Sequence, residues 1–162
     1  MPGPQTGTDV PDRRGPVVTA EDVVPAPAAT VFALLADPAT HPRIDDGANV
    51  AAPVAPAPIT AVGQTFCMDN ANGVRVECIV RRLEPGRVIA WEPGRMGERP
   101  SGQLWTWELA PDGDATRVRL TYDASGLDRA DRKRLARAHA LKPERLAGSI
   151  RRLAALAAAA TR

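Results

Sequence analysis

His41-Pro42-Arg43-Ile44-Asp45-Asp46 gathers one imidazole and two carboxylates into six consecutive residues. An imidazole titrates near neutrality, so His41 could take a proton from a bound molecule as general base while Asp45 holds its tautomer. The same residues suit a solvated turn with a capping aspartate equally well. A metal held by His41, Asp45 and Asp46 is the weaker reading, because the chain has no i, i+4 histidine pair and no Cys/His grouping of the kind that holds a catalytic zinc. Tyr122 and Gln103 offer a phenol and an amide. They serve either as polar handles in an apolar pocket or, for Tyr122, as a core side chain with a satisfied hydroxyl.

Other chemistries find no residues to carry them. The chain has no G-x-S-x-G elbow, no P-loop and no dinucleotide fingerprint, so serine-hydrolase, NTPase and NAD readings have no support and no cofactor is implied. Two cysteines, Cys67 and Cys78, are too few for a disulfide scaffold and point to a reducing compartment, the bacterial cytoplasm. Cys67 falls beside Glu77, a neighbour that raises a thiol pKa rather than lowering it. The basic run Arg129, Arg132, Lys133, Arg134 and Arg137 has no interleaved aromatic residue, and Asp128 and Asp131 offset it, so it reads as a solvated helix face rather than a nucleic-acid site. With 21 basic and 19 acidic side chains, the net charge of +2 provides no general field for nucleic acid or acidic membrane.

These residues must be positioned by elements that the patterning makes visible. Val17 to Val24 reads as a strand, and Pro27 to Ala36 as a helix with Val31, Leu34 and Leu35 on one side. Prolines at 42, 53, 56 and 58 allow only a short helix and an irregular or edge strand before residue 59. Strands are expected over 63–70, 74–83, 87–92, 103–110 and 116–123, joined mostly by turn-type sequences, with 93–102 as a longer loop. A basic helix over 128–140 and a last helix opened by Pro143, with Leu146, Ile150, Leu153 and Ala157 on one stripe, complete the order. Residues 1–15 lack the apolar core of a signal peptide and read as a disordered tail, leaving one domain over 16–162. The apolar stretch Leu153 to Ala160 is too short to span a bilayer.

Strand register follows from side-chain matching. A three-residue loop Ala71-Asn72-Gly73 pairs Phe66 with Cys78, Met68 with Val76 and Asp69 with Arg75; the alternative two-residue turn would set Cys67 opposite Cys78 and is rejected. A four-residue loop Pro111 to Asp114 pairs Trp107 with Val118, Trp105 with Leu120 and Gln103 with Tyr122. In the middle hairpin, a two-residue Pro85-Gly86 turn sends Trp91 inward beside Val80, and a three-residue turn sends Glu92 inward instead. Burying about 200 Å² of indole at about 25 cal/mol per Å² gains up to roughly 5 kcal/mol, whereas an unpaired buried carboxylate costs several, so Trp91 goes in. Five of the six aromatic residues, Phe66, Trp91, Trp105, Trp107 and Tyr122, then share one face of one sheet, and Thr106 lies on the opposite, mainly solvent face. That aromatic face is either ordinary core or one wall of a cavity. Small residues on the last helix, Ala147, Gly148, Ala154 and Ala157, favour the cavity.

Val23 to Pro38, Leu83 to Trp91, Trp105 to Asp123 and the terminal "RLAGSIRRLAALA" together resemble the SRPBCC superfamily of START-like, birch-pollen-allergen-like proteins. Within it they are most similar to actinobacterial proteins labelled polyketide cyclase/dehydrase-like. The resemblance implies an α+β helix-grip fold: a curved seven-stranded antiparallel sheet wrapped around a long C-terminal helix, two short helices after the first strand, and an apolar cavity between sheet and helix. Residues expected to meet a ligand there are Phe66, Met68, Val76, Cys78, Val80, Trp91, Gln103, Trp105, Trp107, Leu120 and Ile150, with His41, Asp45 and Tyr122 as candidate catalytic groups. The superfamily has no common catalytic signature, so function stays divided. A hydrophobic small-molecule partner is common to a cyclase or dehydratase and to a carrier or sensor such as a lipid transporter; a protein-interaction module is the third reading. Oligomeric state is open.

Overall fold

The computed structural model describes residues 14–162. The tail expected over 1–15 therefore lies, apart from Arg14 and Gly15, outside the described residues. Strand β1 (Val17–Val24) leads into helix α1 (Ala28–Leu35), a 3-10 turn (Pro38–Thr40) and the single-turn helix α2 (His41–Ile44). Six strands follow: β2 (Val50–Val54), β3 (Thr65–Asn70), β4 (Arg75–Glu84), β5 (Val88–Arg95), β6 (Leu104–Asp112) and β7 (Ala115–Asp123). Helices α3 (Arg132–Ala140) and α4 (Pro143–Ala160) close the chain. The strands form one antiparallel seven-stranded sheet in the order β1-β7-β6-β5-β4-β3-β2, the helix-grip arrangement. No described helix is long and apolar enough to cross a membrane.

The first hairpin has the expected register, with Phe66 opposite Cys78, Met68 opposite Val76 and Asp69 opposite Arg75. Gly73 takes a positive φ of 82° to close the loop, and both cysteines are free thiols. Two other hairpins differ from expectation. In the last one, Trp105 pairs with Tyr122 and Trp107 with Leu120, because the turn is Gly113-Asp114 alone, with Gly113 at φ 60°. A tight turn with a left-handed glycine matches the twist of the strands better than a four-residue loop. The register moves by two residues, so every side chain keeps its face. In the middle hairpin, Glu84 pairs with Val88 across a three-residue turn, yet Val80 still pairs with Trp91. A bulge between Val80 and Arg82 absorbs the extra residue and turns Trp91, not Glu92, inward.

Strand β5 also runs three residues further than expected, through Pro93 and Gly94 to Arg95. Beyond Trp91 it pairs only with β4, so Pro93 lies where no ladder N–H is demanded of it, and its carbonyl accepts the Ser101 N–H and hydroxyl. Helix α3 begins four residues later than expected because the Asp131 carboxylate caps it, accepting the Arg134 N–H at 3.1 Å. The outer face is not uniformly wet: Val88, Ala90 and Thr106 are buried there, small or β-branched side chains shaded by cross-strand neighbours.

Helix α4 buries the predicted stripe of Leu146, Ile150, Leu153 and Ala157. It packs on β1 and β7, at one end of the strand order, and on α1 and α2. Part of the inner face of β3 to β6 is thereby left facing open space, while Val80, Ile89 and Leu109 on the same strands are closed core.

Candidate functional site

That space is a cavity of about 540 Å³, within the size range of small-molecule sites. Phe66, Met68, Val76, Cys78, Trp91, Trp105, Trp107, Leu120 and Tyr122 line its sheet side, and Leu35, His41, Ile44, Leu146 and Ser149 its helix side. Val80 and Ile150, also expected on the wall, are instead packed in the closed core at 0% and 1% exposure. Ile150 lies on the buried stripe of α4, and Val80 is on a stretch of β4 held to Gly63 and Gln64 by backbone hydrogen bonds. The small residues of α4 do not make the cavity either. Gly148 instead lets the Asp46 carboxylate approach, since an added Cβ would come within 2.2 Å of it, and Ala157 is core.

The segment carrying His41 is fixed from both sides. Thr40 donates its hydroxyl to the Leu34 carbonyl, and Asp46 is tied to α4 by the Ser149 hydroxyl and the Arg152 guanidinium. His41 itself is buried, stacked on Trp91 at 4.7 Å between ring centroids and edge-on to Phe66 at 5.4 Å. Its Nε2 lies 2.8 Å from the Leu35 carbonyl, which can only accept, so Nε2 carries the proton. Burial pushes the imidazole pKa down to about 4, against the Leu35 carbonyl and the Asp37 charge, which act to raise it. His41 is thus neutral at pH 7 with its lone pair on Nδ1. Nδ1 has no partner among the described residues, and no described side chain buries an unpartnered nitrogen or oxygen, so this lone pair opens onto the cavity that His41 lines.

Asp45 does not hold the imidazole. Its carboxylate accepts the N–H groups of Gly47, Asn49 and Val50 at 3.1, 2.8 and 2.9 Å and shapes the turn into β2. The capping aspartate is what these spacings produce, because a carboxylate close in sequence to three free N–H groups meets them first. The partner holding His41 is a backbone carbonyl, which sequence cannot single out. Among the described residues no group of three or more His, Cys, Asp or Glu lies together.

A second polar strip crosses the wall. Tyr122 donates its hydroxyl to Gln103 Oε1, Gln103 Nε2 donates to Ser101 Oγ at 3.2 Å, and Ser101 donates to the Pro93 carbonyl. Gln103 and Tyr122 meet even though they are not opposite one another in the ladder, because the tyrosine is long enough to reach past the strand end. Burial raises the Tyr122 pKa to about 12, with Arg137 and Arg134 pulling the other way, so the phenol is neutral. Ring contact with Trp105 at 4.6 Å fixes it further. Nothing in the sequence singles out Ser101, because the loop that holds it has no periodic pattern.

The open side of the cavity is also lined by Arg95, Arg134, Arg137 and Arg145. The solvated face expected for the basic run holds for Arg129, just before α3, and for Arg132 and Lys133 on it, all exposed; Arg137 is exposed too but borders the cavity, and Arg134 is half-buried beside it. Arg134 precedes Ala138 by one turn and Arg137 precedes Leu141 by one turn, and this i, i+4 spacing to apolar residues is the sequence signal for their place beside the cavity.

Comparison with known proteins bears on these features. A family model described as "Polyketide cyclase / dehydrase and lipid transport" matches residues 16–158. The uncharacterized protein Rv0088 of Mycobacterium tuberculosis is 32% identical over 106 residues, covering 62% of this chain and 44% of that protein. The chain thus spans less than half the length of this curated relative. The crystal structure of MLL2253 from Mesorhizobium loti superposes with a TM-score of 0.64 at 17% identity, covering 87% of this chain and 96% of the other. DynU16, described as a protein in the dynemicin biosynthetic locus, superposes with a TM-score of 0.59 at 19% identity, covering 85% of this chain and 45% of its own. At these identities the two structures are alike in fold alone.

Proposed function

We propose, from the premise that this chain belongs to the polyketide cyclase / dehydrase and lipid transport family, that it binds a flat apolar molecule bearing a hydroxyl group. The observation that carries this reading is an aromatic wall that presents two acceptor atoms: His41 Nδ1, and a Tyr122 oxygen whose own proton goes to Gln103. A ligand hydroxyl among such side chains costs about 1–3 kcal/mol if it stays unpaired and recovers that by donating to His41. Hydroxylated aromatic compounds of the polyketide kind fit both demands.

His41, protonating only near pH 4 and lacking a carboxylate partner, is a weak base at neutral pH. This favours holding a ligand, as a carrier or sensor does, over removing a proton from it. A cyclase or dehydratase reading is supported by one feature, the Nδ1 lone pair beside the indole on which a ring would stack; there the wall would supply most of the effect by folding a reactive chain.

Calorimetric titration with 2-naphthol and naphthalene tests the reading. The native protein should bind the naphthol about 10-fold tighter, one hydrogen bond's worth, and His41→Phe should bring the two to parity. Equal affinities in the native protein would remove the acceptor argument, and no binding of either compound would remove the cavity reading itself. Recovery of a bound polyketide chain unchanged after incubation points to carriage, and recovery as a cyclised product to catalysis.

A further inference from the structure

The fold engages the four arginines at the cavity only lightly. Arg95, Arg137 and Arg145 form no ion pair among the described residues, Arg137 donating only to the Lys133 carbonyl of its own helix at 3.4 Å, and Arg134 pairs with Asp131, at 3.4 Å. Against these four cations, the one carboxylate lining the cavity among the described residues is Asp45, already taken by three backbone N–H groups. Arg95, Arg137 and Arg145 are exposed while Phe66, Trp107, Leu120 and Tyr122 are buried, so charge lies at the mouth and apolar surface lies inside. The guanidiniums of Arg134 and Arg137 approach closely enough to act on the Tyr122 hydroxyl. Arg145 lies directly on the backbone of Gly47, where a Cβ would come within 1.5 Å of its Nη2, so only glycine leaves it that position. In a chain whose total charge is +2, this concentration is local to the cavity.

A cation held at the rim of an apolar cavity, without an internal partner, is matched by an anion that arrives with the ligand. Lysine would serve as a point charge. Arginine instead presents paired donors that fit the two oxygens of a carboxylate or phosphate. We propose that the molecule bound in this cavity is an amphipathic organic anion, its apolar body against Trp91, Trp105 and Phe66 and its carboxylate or phosphate among Arg134, Arg137 and Arg145. This rests on the cavity reading above and adds a charge requirement that the reading does not contain. It also assigns direction: the body enters first and the anionic end stays at the mouth, where a partner could receive or deliver it.

The test is calorimetric titration of the full chain with 2-naphthoate, methyl 2-naphthoate and 2-naphthyl phosphate at pH 7. The expected result is that at least one anion binds about 10-fold tighter than the neutral ester, and that this advantage shrinks as salt is raised. Whichever of naphthoate and naphthyl phosphate binds tighter identifies the oxyanion. In the double variant Arg137→Gln/Arg145→Gln, the advantage should fall to about twofold or less while ester affinity stays unchanged. Ester affinity is the internal control, since it reports an intact cavity in the native and variant proteins alike. Ester binding as tight as both anions, or an advantage that survives the double variant, overturns the charge requirement and leaves the cavity reading standing. Failure of all three compounds to bind overturns both.

Discussion

Burial holds the His41 imidazole uncharged, and that has a consequence for stability as well as for binding. Its pKa is about 4 in the folded protein against 6.5 in the reference state. Above pH 6.5 both states are neutral there and the native state keeps its full stability. As pH falls from 6.5 to about 4, the unfolded chain takes up the proton first, so stability is lost across that window, to the order of 3 kcal/mol. The depressed carboxylates Glu21 and Asp69, each held down first by hydrogen bonds from arginine, add acid sensitivity of their own, but they are unchanged in a His41 variant. Urea unfolding at pH 7 and pH 4.5 should therefore show a markedly smaller acid loss in His41→Phe than in the native protein. Equal losses would mean that the imidazole is charged in the fold. Asp45 shows the opposite situation: a carboxylate whose role is set by neighbours five or fewer residues away and which has no part in tuning the histidine.

The connection between β5 and β6 decides where the polar strip lies. Gly102 sits at φ 83° with its backbone against that of Gly126, and a Cβ there would come within 2.0 Å of the Gly126 carbonyl oxygen. The Gly102 N–H is also held by the Glu92 carboxylate at 2.9 Å, and the next residue is Gln103. Gly102→Ala should cost about 3 kcal/mol, roughly 1 for the positive φ and the remainder for displacing backbone that cannot rotate aside. Gly97, in the same connection, has nearly the same φ of 82° and nothing within 4 Å of a built Cβ. Gly97→Ala should then cost only the conformational part, about 1 kcal/mol. Thermal melts of the two variants separate the cases, and equal shifts in Tm would show that the approach of the two loops is not a constraint. Helix α4 belongs at this scale too: its contact with β1 and β7, rather than the size of its side chains, opens the cavity.

Across the whole molecule, one sheet face serves as closed core at one end and as ligand wall at the other. Trp105 and Trp107, two residues apart on β6, straddle the change. Trp107 is 4% exposed and packed into the core, while Trp105 is only partly buried and faces the cavity beside Tyr122. Trp107→Ala should cost roughly 3–5 kcal/mol, as for a packed core aromatic, and Trp105→Ala about half that, because fewer contacts are lost where the indole borders empty space. Denaturant titration of both variants checks the difference. Equal core-sized losses would show that the wall around Trp105 is closed and that the molecule has no room for a ligand at that end.

The sequence by itself determined which residues share a face. Strand alternation is a parity, so the inward set of Phe66, Trp91, Trp105, Trp107 and Tyr122 survives a two-residue error in the β6–β7 register and an unforeseen bulge in β4. Element order, the stripe on α4 and the free cysteines were legible for the same reason: each rests on spacing or turn chemistry within a short stretch of chain. Only the tertiary structure decided where the sheet is covered and where it is open, and that choice moved Val80 and Ile150 into the core. It also gave His41 a carbonyl instead of a carboxylate and set Arg134 and Arg137, on a helix expected to be solvated, along the cavity. Volume, burial and field depend on distances between elements far apart in sequence, and no local period encodes them.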